Sequence, residues 1–465
     1  MIQPPEAFLT PSLKNTNWGM KVARVLAASI NAVEPGEVVN KSLVRKKDQL
    51  LIGKETLNLS AFDRIILIGV GKAAYPMSVA AADLLGKTLT RGIILTKTKT
   101  DRLPKNLSNK IDIIYGGHPV PNHNSLKSAA IIQTQLSELS SKDLVLFLIS
   151  GGGSALLASP SPGINLDALI VTNQVLLDCG ATINEINTIR KHISSVKGGK
   201  LASLAAPATL ITLVLSDVIG DAIDMVSSGP TAPDPSTFQD SLKVIKKYNL
   251  DPLLPEVVID RINQGCRGEY PETPKPGDPV FDHTTHYILG KNLDAVQAGI
   301  LAAEREGFNA SILPDPLIGE AAQIGSEVSK LLVRMAATDK PFPRPACLIG
   351  GGETTVTIPP NIKIGRGGRN LEIALNAVKT LDGISNAALI TVATDGEDGT
   401  TDAAGAVVTG ESFRKGIELE MQLENYLQNH DSYSYFLKLD DLLLPGPTQT
   451  NVNDLCFLFT FIEDT

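Results

Sequence analysis

Cysteine is scarce in this chain. Its 465 residues hold four, Cys179, Cys266, Cys347 and Cys456, and no two stand in a C-x-x-C spacing. Such dispersal excludes a disulfide framework and reads as buried or free thiols in a reducing compartment. Long apolar runs are absent too, and none approaches the roughly 20 residues that a membrane-spanning helix needs. The opening Met1-Ile2-Gln3-Pro4-Pro5 lacks the basic start and apolar run of a secretory leader. A soluble, cytoplasmic protein is therefore expected. Positive charge is also in short supply: 42 Lys and Arg face 50 Asp and Glu, a formal net charge of −8. That balance argues against a nucleic-acid or anionic-membrane partner. The short basic run Arg45-Lys46-Lys47 reads as a solvated surface turn.

Several catalytic signatures are missing as well. There is no G-x-S-x-G elbow, and no Ser-His-Asp or Cys-His arrangement follows from spacing. Gly86-Lys87-Thr88 has Ala81 where a Walker A loop needs its first glycine, and it follows a helix rather than a strand. His118 and His123 bracket a proline-containing turn with no further metal ligands nearby, so they read as turn histidines.

What is present is an ordinary globular composition, 43% hydrophobic and 20% charged, in a chain long enough for two or three domains. An amphipathic helix is predicted around residues 18–33. Strands are predicted at 64–70, 92–96, 111–115, 144–150 and 210–216, with helices after residue 71 and at 125–139 and 166–177. Near-continuous apolar strands alternating with helices specify a doubly wound, Rossmann-like parallel sheet. Residues 249–283, rich in proline and polar side chains, read as a connecting segment. A second, smaller α/β pattern follows, with strands at 285–289, 346–349, 388–393 and 455–461. The expected division is thus 1–248, a linker at 249–283, and 284–465.

Glycines cluster where these strands end, and in open α/β sheets ligands bind beyond the carboxyl ends of strands. Gly69-Val70-Gly71-Lys72-Ala73-Ala74 fits the G-x-G-x-x-A dinucleotide fingerprint or a tight packing turn. The next strand ends in Thr96-Lys97-Thr98-Lys99, with no acid for a ribose diol, and Lys72 suits a phosphate better. Ser150-Gly151-Gly152-Gly153-Ser154-Ala155 lets backbone amides wrap an anion with no Cβ in the way. Asp217, in Leu215-Ser216-Asp217-Val218, is either a helix cap or a group reaching into the cleft as base or metal ligand. Ser227-Ser228-Gly229-Pro230-Thr231 belongs to the same region. In the second half, Gly350-Gly351-Gly352-Glu353-Thr354-Thr355 reads as another strand-end loop. Gly365-Arg366-Gly367-Gly368-Arg369-Asn370 sets two guanidinium forks among glycines, suited to carboxylate or phosphate. Asp395-Gly396-Glu397-Asp398-Gly399 offers oxygen ligands for Mg²⁺, or a solvated acidic turn, but not the spacing of an EF-hand. Anion-binding loops, a lysine, arginines and strand-end carboxylates together describe phosphoryl transfer.

The ordered set of these blocks resembles the glycerate 2-kinase family. To those above it adds Gly117-His118-Pro119-Val120-Pro121, Thr394-Asp395-Gly396 and Asp454 within Thr450-Asn451-Val452-Asn453-Asp454. The resemblance implies an amino-terminal Rossmann-like domain, a carboxy-terminal MOFRL domain and an active site in the cleft between them. It implies transfer of the ATP γ-phosphate, with Mg²⁺, to the 2-hydroxyl of D-glycerate. Lys72, Asp217 and Arg369 would be catalytic, with Asp395 as a metal ligand. Gly71, Ser150, Gly151, Gly152, Gly153, Ser154, Arg366 and Asn370 would bind substrate or phosphate. Gln449 departs from the family, standing where a glycine is expected. The assembly stays open, a homodimer being one form compatible with it. Two readings compete: an NAD(P)-dependent hydroxypyruvate reductase, for which Lys97 and Lys99 would favour NADP, and a non-catalytic sensor of sugar phosphates or nucleotides.

Overall fold

The computed structural model describes residues 2–97, 103–359 and 364–462; Thr98 and Lys99 lie outside the described residues. The chain divides into two compact units, Pro35–Gly290 and Met1–Glu34 together with Lys291–Thr465.

The first unit opens with a small antiparallel sheet of β1 (Leu43–Lys46), β2 (Gln49–Ile52) and β3 (Glu55–Asn58). Six parallel strands follow: β4 (Arg64–Val70), β5 (Arg91–Thr96), β6 (Ile111–Tyr115), β7 (Asp143–Ile149), β8 (Thr209–Leu215) and β9 (Thr284–Gly290). Their order across the sheet is β6-β5-β4-β7-β8-β9. Every residue of β7 is buried, as the apolar run at 144–149 requires of a central parallel strand. From β4 the chain adds β5 and β6 on one side, then returns to place β7 on the other. The order therefore reverses between β4 and β7, and a crevice opens there at the carboxyl ends of the strands.

Two expectations about the boundary are corrected here. The strand predicted at 285–289 does not open a second sheet; β9 pairs in parallel with β8 and completes the first. The segment 249–283 is not merely a connection, because it carries the helix Glu256–Cys266, whose Val258 and Ile262 are buried.

In the second unit the helix Gly19–Ala32 packs on the helix Asn292–Arg305. Gly299 permits the contact, since a Cβ there would lie 2.3 Å from Ser29 Oγ. The amino-terminal helix thus groups with a helix about 270 positions further along the chain instead of with the parallel sheet. The seven-stranded sheet comprises β10 (Asn309–Ile312), β11 (Leu317–Glu320), β12 (Ala346–Thr355), β13 (Ala387–Ala393), β14 (Gly405–Thr409), β15 (Leu442–Leu443) and β16 (Asp454–Thr460). Antiparallel β16 lies between β12 and β13. Gly350, Gly351 and Gly352, read from sequence as a loop, are inside β12. Close packing explains the glycines: a Cβ on Gly351 would sit 1.6 Å from Asn292 Oδ1, and one on Gly350 2.3 Å from Leu313 Cδ1.

Among the described residues no helix is long and apolar enough to cross a membrane. All four cysteines are free thiols, with Cys347 and Cys456 buried.

Candidate active site

The first candidate site lies at the switch point between β4 and β7. Register aligns Val70 with Ile149, and Ile149 with Val214, so three neighbouring strands end level. Beyond those ends come Lys72, the Ser150–Ser154 turn and Asp217. The glycines of the dinucleotide-like turn have packing roles. A Cβ on Gly69 would lie 2.1 Å from Ser78 Oγ in the following helix, and one on Gly71, at φ +128°, 2.2 Å from Ser150 Oγ. The two loops are bonded together. Lys72 N donates to Gly151 O at 2.8 Å, and Ala73 N donates to Ser150 Oγ at 3.0 Å. Gly152, at φ +80°, lies beneath two side chains: its absent Cβ would be 2.9 Å from His118 Nε2 and 3.2 Å from Lys72 Cγ. Sequence therefore placed His118 in an isolated turn, whereas the structure brings it to the lysine.

Carbonyls of this turn are committed, whereas among the described residues no backbone acceptor takes the N–H groups of Gly151, Gly152 or Gly153. Successive amides left unpaired on a curved backbone form a nest for an anion. The far wall is Ser227-Ser228, both with positive φ (+51° and +63°), a conformation rare for residues with a Cβ. Side-chain bonds hold them: Ser227 Oγ donates to Ser150 O at 3.0 Å, and Ser228 Oγ donates to Asn187 Oδ1 at 2.8 Å. Asp217 is half-buried just past β8.

A group of buried lysines behind this turn escaped the sequence reading. Lys191 Nζ pairs with Asp224 at 2.9 Å and Asp234 at 3.2 Å. Lys200 Nζ donates to the carbonyls of Lys191 and Ser194, and burial lowers its pKa to about 8. Lys197 Nζ donates to Ser154 O at 2.6 Å and Ser154 Oγ at 2.7 Å. The available signal was Lys197-Gly198-Gly199-Lys200, a further glycine turn with cations on each side.

The second candidate site is in the other unit, at one end of its sheet, where register sets Gly352, Asp454 and Ala393 side by side. Glu353, Asp454 and Asp395 thus share that edge. Arg369 lies between Glu353 and Asp454, with Nε 2.6 Å from Asp454 Oδ2. Burial pulls its pKa down, but the Asp454 and Glu353 charges outweigh that and hold it raised. Burial pushes Asp454 up to about 7 against the pull of Arg369, with Asp398 adding to the rise. Asp398 is raised to about 6 by burial, although it accepts the amides of Asn370 (3.1 Å) and Leu371 (2.8 Å) at the start of the helix Arg369–Ala377. Asn370, expected to bind substrate, is fully buried, and its Nδ2 donates to Asp454 Oδ1 at 2.8 Å. It organises the carboxylates.

Arg366 is kept apart from this group. Its guanidinium stacks 4.0 Å over the Tyr433 ring, its side chain is 57% exposed, and its backbone N donates to Asp431 Oδ1. Gln449 adopts φ +64°, the backbone that a glycine would take without strain. For a metal, no group of three or more His, Cys, Asp or Glu side chains converges among the described residues. Asp395, half-buried after β13, offers a single carboxylate. That donor set fits Mg²⁺, which keeps waters and phosphate oxygens as most of its ligands.

Comparison with known proteins settles the family. Residues 21–263 match the family described as "Domain of unknown function (DUF4147)", and residues 346–454 match the MOFRL family. The chain is 40% identical over 419 residues to a D-glycerate 2-kinase of Thermotoga maritima, covering 90% of this chain and 96% of that one. This chain belongs to the glycerate 2-kinase family. A solved structure of glycerate kinase (EC 2.7.1.31) from Thermotoga maritima superposes with a TM-score of 0.80 at 38% identity, over 95% of this chain and 99% of its own. The name "Putative hydroxypyruvate reductase" also occurs among the relatives, on an Agrobacterium vitis protein 39% identical over 394 residues, 84% of this chain and 86% of its own. The two-domain α/β architecture expected from sequence is that of the family.

Proposed function

We propose that this chain phosphorylates D-glycerate on its 2-hydroxyl, taking the γ-phosphoryl group of ATP and releasing 2-phosphoglycerate and ADP. The observation that carries the reading is the strand-end nest of Gly151–Gly153 amides beside Lys72, at the reversal point of a parallel sheet. Phosphoryl transfer asks for positioning and charge neutralisation more than covalent chemistry, and this nest supplies both. Lys72 neutralises the transferring oxygens, and the glycine amides hold them. Asp217 accepts the hydroxyl proton or holds metal. Of the two arginines, Arg366, 3.8 Å from the exposed Asp402, has the more exposed guanidinium for a substrate carboxylate or phosphoryl group, while Arg369 is held by Asp454 and Glu353. ATP arrives with Mg²⁺, for which Asp395 is the protein carboxylate. The cytoplasm, where ATP is available, is the location that fits.

The hydroxypyruvate reductase reading is favoured by one relative's name and by the G-x-G-x-x-A spacing. Against it, packing accounts for Gly69 and Gly71, and β5 ends in Thr96-Lys97 with no acid for a ribose diol. A coupled ADP-release assay with ATP, Mg²⁺ and D-glycerate separates the two. Glycerate-dependent ADP formation, with no oxidation of reduced nicotinamide on hydroxypyruvate, is expected; the opposite pair of results overturns the kinase reading.

A further inference from the structure

Lys197 is unlike the other buried lysines of its unit. It stands in the turn between the helices Ile183–His192 and Lys200–Ala205, only 4% exposed. The turn is fixed to the nest's far wall, because Gly198 N donates to Ser228 O at 3.0 Å and Gly199 N donates to Gly229 O at 2.8 Å. Lys191 faces two carboxylates, whereas among the described residues Lys197 Nζ donates to the carbonyl and hydroxyl of Ser154 alone. Ser154 Oγ lies 3.1 Å from Ser228 Oγ, which donates to Asn187. A partly buried line of donors thus runs from Lys197 through Ser154 and Ser228 to Asn187, behind the glycine amides.

A buried ammonium with no anion beside it is costly, and proteins keep such groups paired or neutral. Among the described residues no carboxylate pairs with Lys197: Asp234, whose Oδ2 lies against Gly198 in the same turn, is paired with Lys191. The helix Ile183–His192 presents Arg190, a like charge; Lys200–Ala205 presents Lys200; Gly153–Leu156 and Val226–Ser228 present serine hydroxyls. Burial, with Arg190 adding to it, holds the Lys197 amine well below the usual lysine range.

We propose that Lys197 is a positioning residue for phosphoryl transfer, which fixes the Ser154 wall of the nest and takes its counter-charge from the bound phosphate. The inference rests on the reading of that nest as the phosphate site. An arriving phosphate supplies the missing negative charge, so the amine takes up a proton as the anion binds. Lys72 meets the ligand from the front, and Lys197 acts from behind through Ser154.

Calorimetric titration of the full chain with ATP tests this, in two buffers of different ionisation enthalpy that report proton uptake. Wild-type protein should bind ATP with uptake of a proton. Lys197→Met should weaken ATP by about 10- to 100-fold, the loss of one charge-assisted bond, and the uptake should vanish. Ser154→Ala should weaken ATP as well, and in the double variant the two losses should not add. Wild-type ATP affinity with unchanged uptake in Lys197→Met overturns the proposal. If that variant does not fold, unchanged affinity in Ser154→Ala overturns it instead. Inorganic phosphate, titrated separately, tests the nest without the nucleotide. None of these readouts needs turnover. Lys197-dependent proton uptake in a chain that does not phosphorylate D-glycerate would defeat the functional reading and leave this role standing.

Discussion

The two candidate sites are electrostatic opposites. At the switch point of the parallel sheet, Lys72 and Lys197 stand among hydroxyls and backbone amides. At one end of the mixed sheet, Asp454, Asp398 and Glu353 surround one arginine, and burial raises Asp454 and Asp398. The first arrangement sets lysine cations and backbone amides at one group of strand ends, with Asp217 past the neighbouring strand. The second is already compensated internally, and its surplus is negative. The difference teaches that a glycine-rich strand end with charged residues is not one kind of site. Whether the charged side chains stand among backbone amides or among carboxylates decides what it can bind.

Four substitutions probe this contrast. The largest stability effect is expected from Arg369→Met, which strands Asp454 and Glu353. A loss of about 3 kcal/mol, the low end for a broken buried pair because Arg369 is one-third exposed, should appear as a lower urea midpoint. Lys72→Ala should instead leave that midpoint in place and reduce turnover about 10²- to 10³-fold, as removal of one preorganised donor does. Near-normal turnover in this variant would deny Lys72 a catalytic role. Asp454→Asn probes pH. A carboxyl raised to about 7 in the folded state binds protons more tightly than in the unfolded chain. Its contribution is therefore fully favourable below about pH 4 and is lost as pH rises towards 7. The variant should show a smaller fall in stability between pH 5 and 8 than the parent; an identical fall would mean that Asp454 is not the titrating group. Arg366→Ala should cost least, about 0.5–1 kcal/mol for the lost stacking on Tyr433.

Much of the parallel sheet was legible in sequence, since β4, β7 and β8 are near-continuous apolar runs with no amphipathic alternative. Its edge was not. In β9 only Gly290 is buried, and the strand follows a proline-rich stretch that imitates a linker. Gly350–Gly352 looked like a loop because nothing local reveals that Leu313 and Asn292 occupy the space of their side chains. The helix Gly19–Ala32 was legible as a helix, but its partner lies far along the chain. The Lys72 and Gly151–Gly153 loops were visible because glycines at strand ends have few other reasons to cluster. Lys197 was invisible for the converse reason. A lysine in a glycine turn reads as solvated until the fold puts it against Ser154, 43 positions away. The two arginines looked equivalent, and only Tyr433 and Asp454 distinguish them.

The most direct test of the central claim is the identity of the product. ATP, Mg²⁺ and D-glycerate are incubated with the protein, and enolase is added to the quenched, enzyme-free mixture. Glycerate-dependent ADP matched by an equal amount of material that enolase converts directly is the expected result, because enolase takes the 2-phosphate and not the 3-phosphate. ADP formed without any enolase-competent product would contradict the account.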